Sequence, residues 1–304
     1  MAPVTRTAQF AKVFKILKKH FEGVKPVPDR SVFESLLYAC CLEDAHYPAA
    51  DEAYAALIHT FFDFNEIRVT TIAELSEVMA VLPDPRAASN RLKRVLQSVF
   101  EATYSFDLEE RRKKNIGPTI KWLHELDGTT NFSVSYVVQS ALGGHAIPVD
   151  SGVLAALGIC GLVSDKDIEA GVVPGLERAI AKSKGIEFAS MLHQLGADFK
   201  ANPYSPKIRK VLLQIDPECE GRIPKRRTAK KAKKKTKAAT AQKSSDKPAA
   251  TKKPKKAAKE KKASTAKKKP AAAKKSTSAA REKKAADAKS RRSASAGLSK
   301  RKPR

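Results

Sequence analysis

The sequence predicts an all-α body followed by a basic tail with no core of its own. Apolar residues recur at helical spacing from Phe10 onward, and strand-length alternation recurs nowhere. Charge is also split along the chain. Of 59 Lys+Arg and 32 Asp+Glu, net +27, residues 221–304 hold 34 basic and 4 acidic residues, net +30. Residues 1–220 keep 25 basic and 28 acidic residues, net −3. Basicity therefore belongs to the tail, which excludes a uniformly basic domain. The expected organisation is one all-α domain over 1–220 and a tail over 221–304. The tail contains no aromatic residue, no Val and no Cys. With so little to bury, it is expected to be disordered.

The elements follow in order. Phe10, Val13, Phe14, Leu17 and Phe21 make an apolar stripe over 5–22, ended by Gly23 and Pro26-Val-Pro28. A second helix starts near Ser31, with Phe33, Leu36, Leu37, Cys40 and Cys41 on one stripe, so both thiols are expected in the core. Helical patterns continue over about 50–63, 72–81, 86–104 and 107–114, separated by turn signals such as Leu82-Pro-Asp-Pro85. Gly117-Pro118 opens a short helix that ends at the tight turn Leu126-Asp127-Gly128-Thr129-Thr130. Another helix runs 132–142, followed by the loop Gly143-Gly144-His145-Ala146-Ile147-Pro148. Asp150 then stands where it can N-cap the next helix. Further helices are expected over 166–182, 186–195 and 206–214.

Several function classes drop out. The longest apolar stretch, near Val153–Val163, is short of the roughly 20 residues a bilayer requires. The first residues carry no apolar signal region. Cys40, Cys41, Cys160 and Cys219 form neither a disulfide framework nor a metal knuckle, so no metal is expected. A cytoplasmic, nucleoid-associated protein without membrane contact is the expectation. His145 reads as a solvated loop histidine, and Trp122 and Tyr136 as core residues rather than stacking platforms.

Leu126-Asp-Gly-Thr-Thr-Asn-Phe132 followed by Ala146-Ile-Pro-Val-Asp150 resembles the helix-hairpin-helix DNA glycosylase superfamily (HhH-GPD), in an endonuclease III-like layout. The resemblance spans about Phe33 to Phe199. It implies a two-lobed fold: a central bundle over about 33–145, and a second lobe from 5–30 plus 146–220. It implies that the hairpin residues Gly128, Thr129 and Thr130 meet a DNA phosphate. The family's essential aspartate follows its lyase lysine by 18 residues, and Asp150 follows Phe132 by the same interval. By that resemblance Asp150 is the catalytic carboxylate of base excision; by its own position it is a helix cap. The two roles are compatible.

Departures qualify the resemblance. Phe132 stands at the lysine position and has no amine for a Schiff base, which argues against abasic-site lyase activity. Asp127 and Thr130 replace hairpin Pro and Gly, and the base-displacing segment aligns with acidic Leu42-Glu43-Asp44. The iron–sulfur cysteine pattern is missing, so no cofactor is expected. Lys252, Lys253, Lys255 and Lys256, with Lys267, Lys268 and Lys269, resemble the tails of linker histones and bacterial histone-like proteins. Such charge binds double-stranded DNA through counterion release, whatever the sequence. Two readings stay open: a monofunctional DNA glycosylase using Asp150, or a non-catalytic DNA-binding or nucleoid-architectural protein. A lyase through another lysine, such as Lys121, is a third and weaker one.

Overall fold

A computed structural model describes residues 5–226. The tail lysines Lys252, Lys253, Lys255, Lys256, Lys267, Lys268 and Lys269 lie outside the described residues. Among those described there are fourteen α-helices, one 3-10 turn and no strand, so the body is all-α.

Helices α2 (Val32–Leu42), α3 (Tyr47–Thr60), α4 (Phe64–Val69), α5 (Ile72–Val78), α6 (Pro85–Thr103), α7 (Glu109–Lys113), α8 (Ile116–Glu125) and α9 (Asn131–Ser140) surround one hydrophobic core. At its centre lies α2, buried at every position except Glu34. A helix apolar all round needs neighbours on every side. Glu34 closes a capping box with Ser31, fixing where α2 begins. Phe33, Phe64 and Phe106 pack edge-on and tilted at 5.0–5.1 Å around it.

A second core joins α1 (Arg6–His20) to α10 (Ser151–Ile159), α11 (Asp165–Ala170), α12 (Leu176–Ala179), α13 (Lys182–Ala201) and α14 (Pro206–Ile215). The chain starts in this lobe, crosses to the first core after Phe21, and returns through 143–149. Phe10, Val13, Ile16 and Leu17 bury the stripe of α1, each such side chain contributing about 1.5–3 kcal/mol. Phe14 meets Phe188 edge-on at 5.4 Å.

Three details differ from the sequence pattern. The helix expected over 166–182 is two short ones, because Gly171 turns left-handed at φ 67° and Pro174-Gly175 breaks the chain again. Helix α4 follows directly on Phe61-Phe62, where the apolar run hides its N-cap, Asp63. The second core reaches past 220: Cys219 sits in a 3-10 turn, Pro217–Gly221, and Ile223 is 3% exposed.

Candidate active site and hairpin

The hairpin between α8 and α9 is locked to α6. Gly128 has φ +86°, and a Cβ there would lie 2.8 Å from Arg91 O and 2.9 Å from Val95 N. Glycine is thus required by both its angle and its contact. Thr129 Oγ1 donates to Leu123 O and Leu126 O at 2.9 and 2.8 Å, closing the end of α8. Thr130 N-caps α9 in a reciprocal pair with Ser133. Its hydroxyl also donates to Glu43 Oε2 at 3.0 Å.

Sequence reasoning placed Gly128, Thr129 and Thr130 around a phosphate. Here three donors of that turn have internal acceptors. Asp127 N–H donates to Ser98 Oγ, Thr129 N–H to Leu126 O, and Thr130 N–H to Ser133 Oγ. Asp127 projects its carboxylate from the turn, gripped by Arg94 with Nε at 2.7 Å and a second bond from Nη2. The Arg94 hydrogen bonds hold the Asp127 carboxyl below the usual carboxylate range. A phosphate approaching this turn therefore meets the Asp127–Arg94 ion pair.

Asp150 N-caps α10, its Oδ1 accepting from Val153 N at 2.8 Å. Its Oδ2 stands 2.8 Å from Nδ1 of His193 on α13. This contact lies off a hydrogen-bond axis, and neither atom has another partner. Both residues are 2% exposed. His193 Nε2 is 2.8 Å from Ala45 O. A carbonyl only accepts, so Nε2 carries a proton.

The space beside Asp150 is filled. The His193 ring lies between Tyr47, at 5.1 Å, and Phe132, at 5.5 Å, and Tyr136 follows Phe132 at 6.3 Å. Helices α10 and α13 cross in close contact here. A Cβ at Gly152 would run into Gly196 O, and one at Gly196 would lie 2.8 Å from Asp150 Oδ1. His193 precedes Gly196 by one helical turn, so the glycine contact brings the imidazole onto the carboxylate. No sequence signal separates His193 from an ordinary core histidine.

Acidic residues close the mouth of the interlobe cleft. Glu43 pairs with Arg91 at 3.2 Å. Burial pushes its carboxyl above the usual range, against the pull of Arg91. Asp44, at φ 64°, reaches across to α10, accepting from Ser151 Oγ at 2.8 Å and Gly152 N at 3.3 Å. Lys200 Nζ joins it at 2.8 Å. Burial opposes ionisation of Asp44, but the Lys200 and Ser151 hydrogen bonds outweigh it and hold the carboxyl low. Beneath them lies a cavity of about 70 Å³ lined by Glu43, Asp44, Asp84, Arg91 and Lys200, and a wider one of about 310 Å³ lies between the lobes, lined by His124, Asn131, Ser135, Ile147, Val149 and Val173.

His145 is not free in solvent: its Nε2 lies 2.8 Å from Glu177 O and 2.9 Å from Ile180 O. Trp122 is half-buried beneath the Arg111 guanidinium at 3.9 Å, and Tyr136 is buried. Lys121 is exposed on α8. All four cysteines are buried free thiols. Cys40 and Cys41 sit in the first core and Cys160 and Cys219 in the second. Neither core supplies the four thiolates an iron–sulfur cluster needs, so the donor set does not fit one. Among the described residues no cluster of His, Cys, Asp or Glu is built to hold a metal, and no helix is long and apolar enough to cross a membrane.

No protein-family model matches this sequence, and no curated protein is similar to it. Two of the solved structures that share its fold are of endonuclease III with DNA. One is a trapped covalent endonuclease III–DNA intermediate with an estranged adenine. It is 17% identical, with TM-score 0.52, over 73% of this chain and 100% of that one. The other is a non-covalent endonuclease III–DNA complex, 19% identical, with TM-score 0.52 over the same shares. This chain has the helix-hairpin-helix glycosylase fold.

Proposed function

We propose that this protein binds double-stranded DNA as a non-catalytic, nucleoid-architectural module, with its basic tail as the main anchor. Two sources support DNA as the partner. The body has the fold of endonuclease III, which is known bound to DNA, and the tail carries net +30. One observation carries the absence of catalysis: Asp150 is buried against His193, with Phe132 and Tyr47 packed on the same ring. A carboxylate held against His193 in the core is not placed to activate a water.

A monofunctional glycosylase is the second reading, favoured by Asp150 at the head of α10. It requires the two lobes to part and the His193 contact to break. Damaged duplex oligonucleotides scored for abasic sites separate the two. The module binds them and releases no base. Base release without strand scission, lost in Asp150→Asn, would establish the glycosylase.

A further inference from the structure

Helices α1 and α14 carry no acidic residue, although the body as a whole is net −3. Lys12, Lys15 and Lys19 recur at i, i+3, i+7 on α1, and Lys207, Lys210 and Gln214 at the same spacing on α14; all six are exposed. Both stripes lie on the faces turned away from the second core.

Contacts between the helices set the stripes side by side. Lys12 Nζ donates to Ile215 O at 2.7 Å, His20 meets Gln214 at 2.9 Å, and Lys207 lies 4.4 Å over the Phe21 ring. The two helices thus lie against one another. Lys15, Lys19 and Lys210 have no carboxylate partner among the described residues, whereas Lys18 and Lys207 pair with Glu187 and Asp198. The basic chain leaves beside this face: Lys225 and Arg226 share a surface cleft with Arg209 of α14.

We infer that the α1/α14 face is a second docking surface, which lays the body along the phosphate backbone of duplex DNA. This rests on the DNA-binding reading above and assigns the body its part in it. The stripe from Lys12 to Lys19 rises about 10 Å, enough to follow roughly three phosphates of one strand. Single strands are gripped by exposed aromatic platforms, and neither helix has one. Phe10 is buried, and Phe14 is half-buried beneath Lys18 Nζ at 4.7 Å. The hairpin, by contrast, presents Asp127 paired with Arg94.

The test is lysine acetylation of the full chain with and without a saturating 30-base-pair DNA duplex, read peptide by peptide. Lys15, Lys19 and Lys210 lose reactivity several-fold together with the tail lysines, while exposed Lys113 and Lys121 keep theirs. In the full-length triple variant Lys15→Gln/Lys19→Gln/Lys210→Gln, the slope of log K against log salt falls by about 2–3, with unchanged Tm. Protection of the tail alone overturns this surface and leaves the DNA reading standing. No protection anywhere overturns both. Stronger protection by a duplex RNA of equal length assigns the face to RNA and overturns the proposal as stated.

Discussion

Asp150 caps α10 and meets His193 in the core. Asn at 150 keeps the size of the side chain and the acceptor for Val153 N–H. Asp150→Asn is expected to change stability by less than about 1.5 kcal/mol. Asp150→Ala is expected to cost about 3–5 kcal/mol, because it removes the cap and strands a buried imidazole. Chemical denaturation of the two variants checks this, and DNA affinity should be unchanged in both. Asp44 makes a pH prediction. Its carboxyl is held below the usual range in the fold, so its contribution is complete above the unfolded value of about 3.9. It fades as pH falls from there through the lower folded value. Denaturation against pH should therefore show Asp44→Asn losing most stability above pH about 4, with the gap to the parent narrowing in acid. Burial also pushes the Cys40 thiol up to about 12 and Cys41 higher still. Both should resist alkylation at pH 8 until the protein unfolds.

The hairpin is the element whose sequence said most and whose geometry changed the reading most. Its position between two helices was legible from Gly117-Pro118, the Asp127-Gly128 turn and the apolar pattern of 132–142. That Asp127 N–H and Thr130 N–H are engaged internally was not legible, because their acceptors, Ser98 and Ser133, look like any other serines. Gly128→Ala should cost at least about 1–3 kcal/mol from backbone strain, with more from contact with α6; thermal unfolding measures it. Phe132→Lys is the complementary test. It places an amine beside a filled pocket, so it should destabilise the fold and yield no borohydride-trapped adduct with abasic DNA. The helix boundaries missed at 166–182 failed for a related reason. Apolar spacing carries across Gly171 and Pro174-Gly175, and only their backbone angles stop it.

At the scale of the molecule, the all-α class was legible because periodicity is a local property. The closure of the interlobe cleft was not legible, since it depends on contacts across more than a hundred residues, such as Asp44 with Ser151. Tail removal should separate folding from affinity. A chain ending at Arg226 keeps Ile223 in the second core and should unfold at the parent temperature, yet lose most of its DNA affinity and salt dependence. A chain ending at 220 should melt lower, because it also loses Ile223 and the Arg222–Asp216 pair. Side-by-side melting curves and salt titrations distinguish the two.

Ile223 also has a mechanical meaning. It is a plug three residues before the end of the described chain, set just past the buried Cys219. Whenever the tail is gripped by DNA and the body is pulled, the load enters the protein at that plug. The first turn to peel is then Pro217–Gly221, and the core group to meet water next after Ile223 is a thiol. Cys219 thus sits as a fuse between tether and body, and its alkylation would record tension on the tail before either lobe gives way.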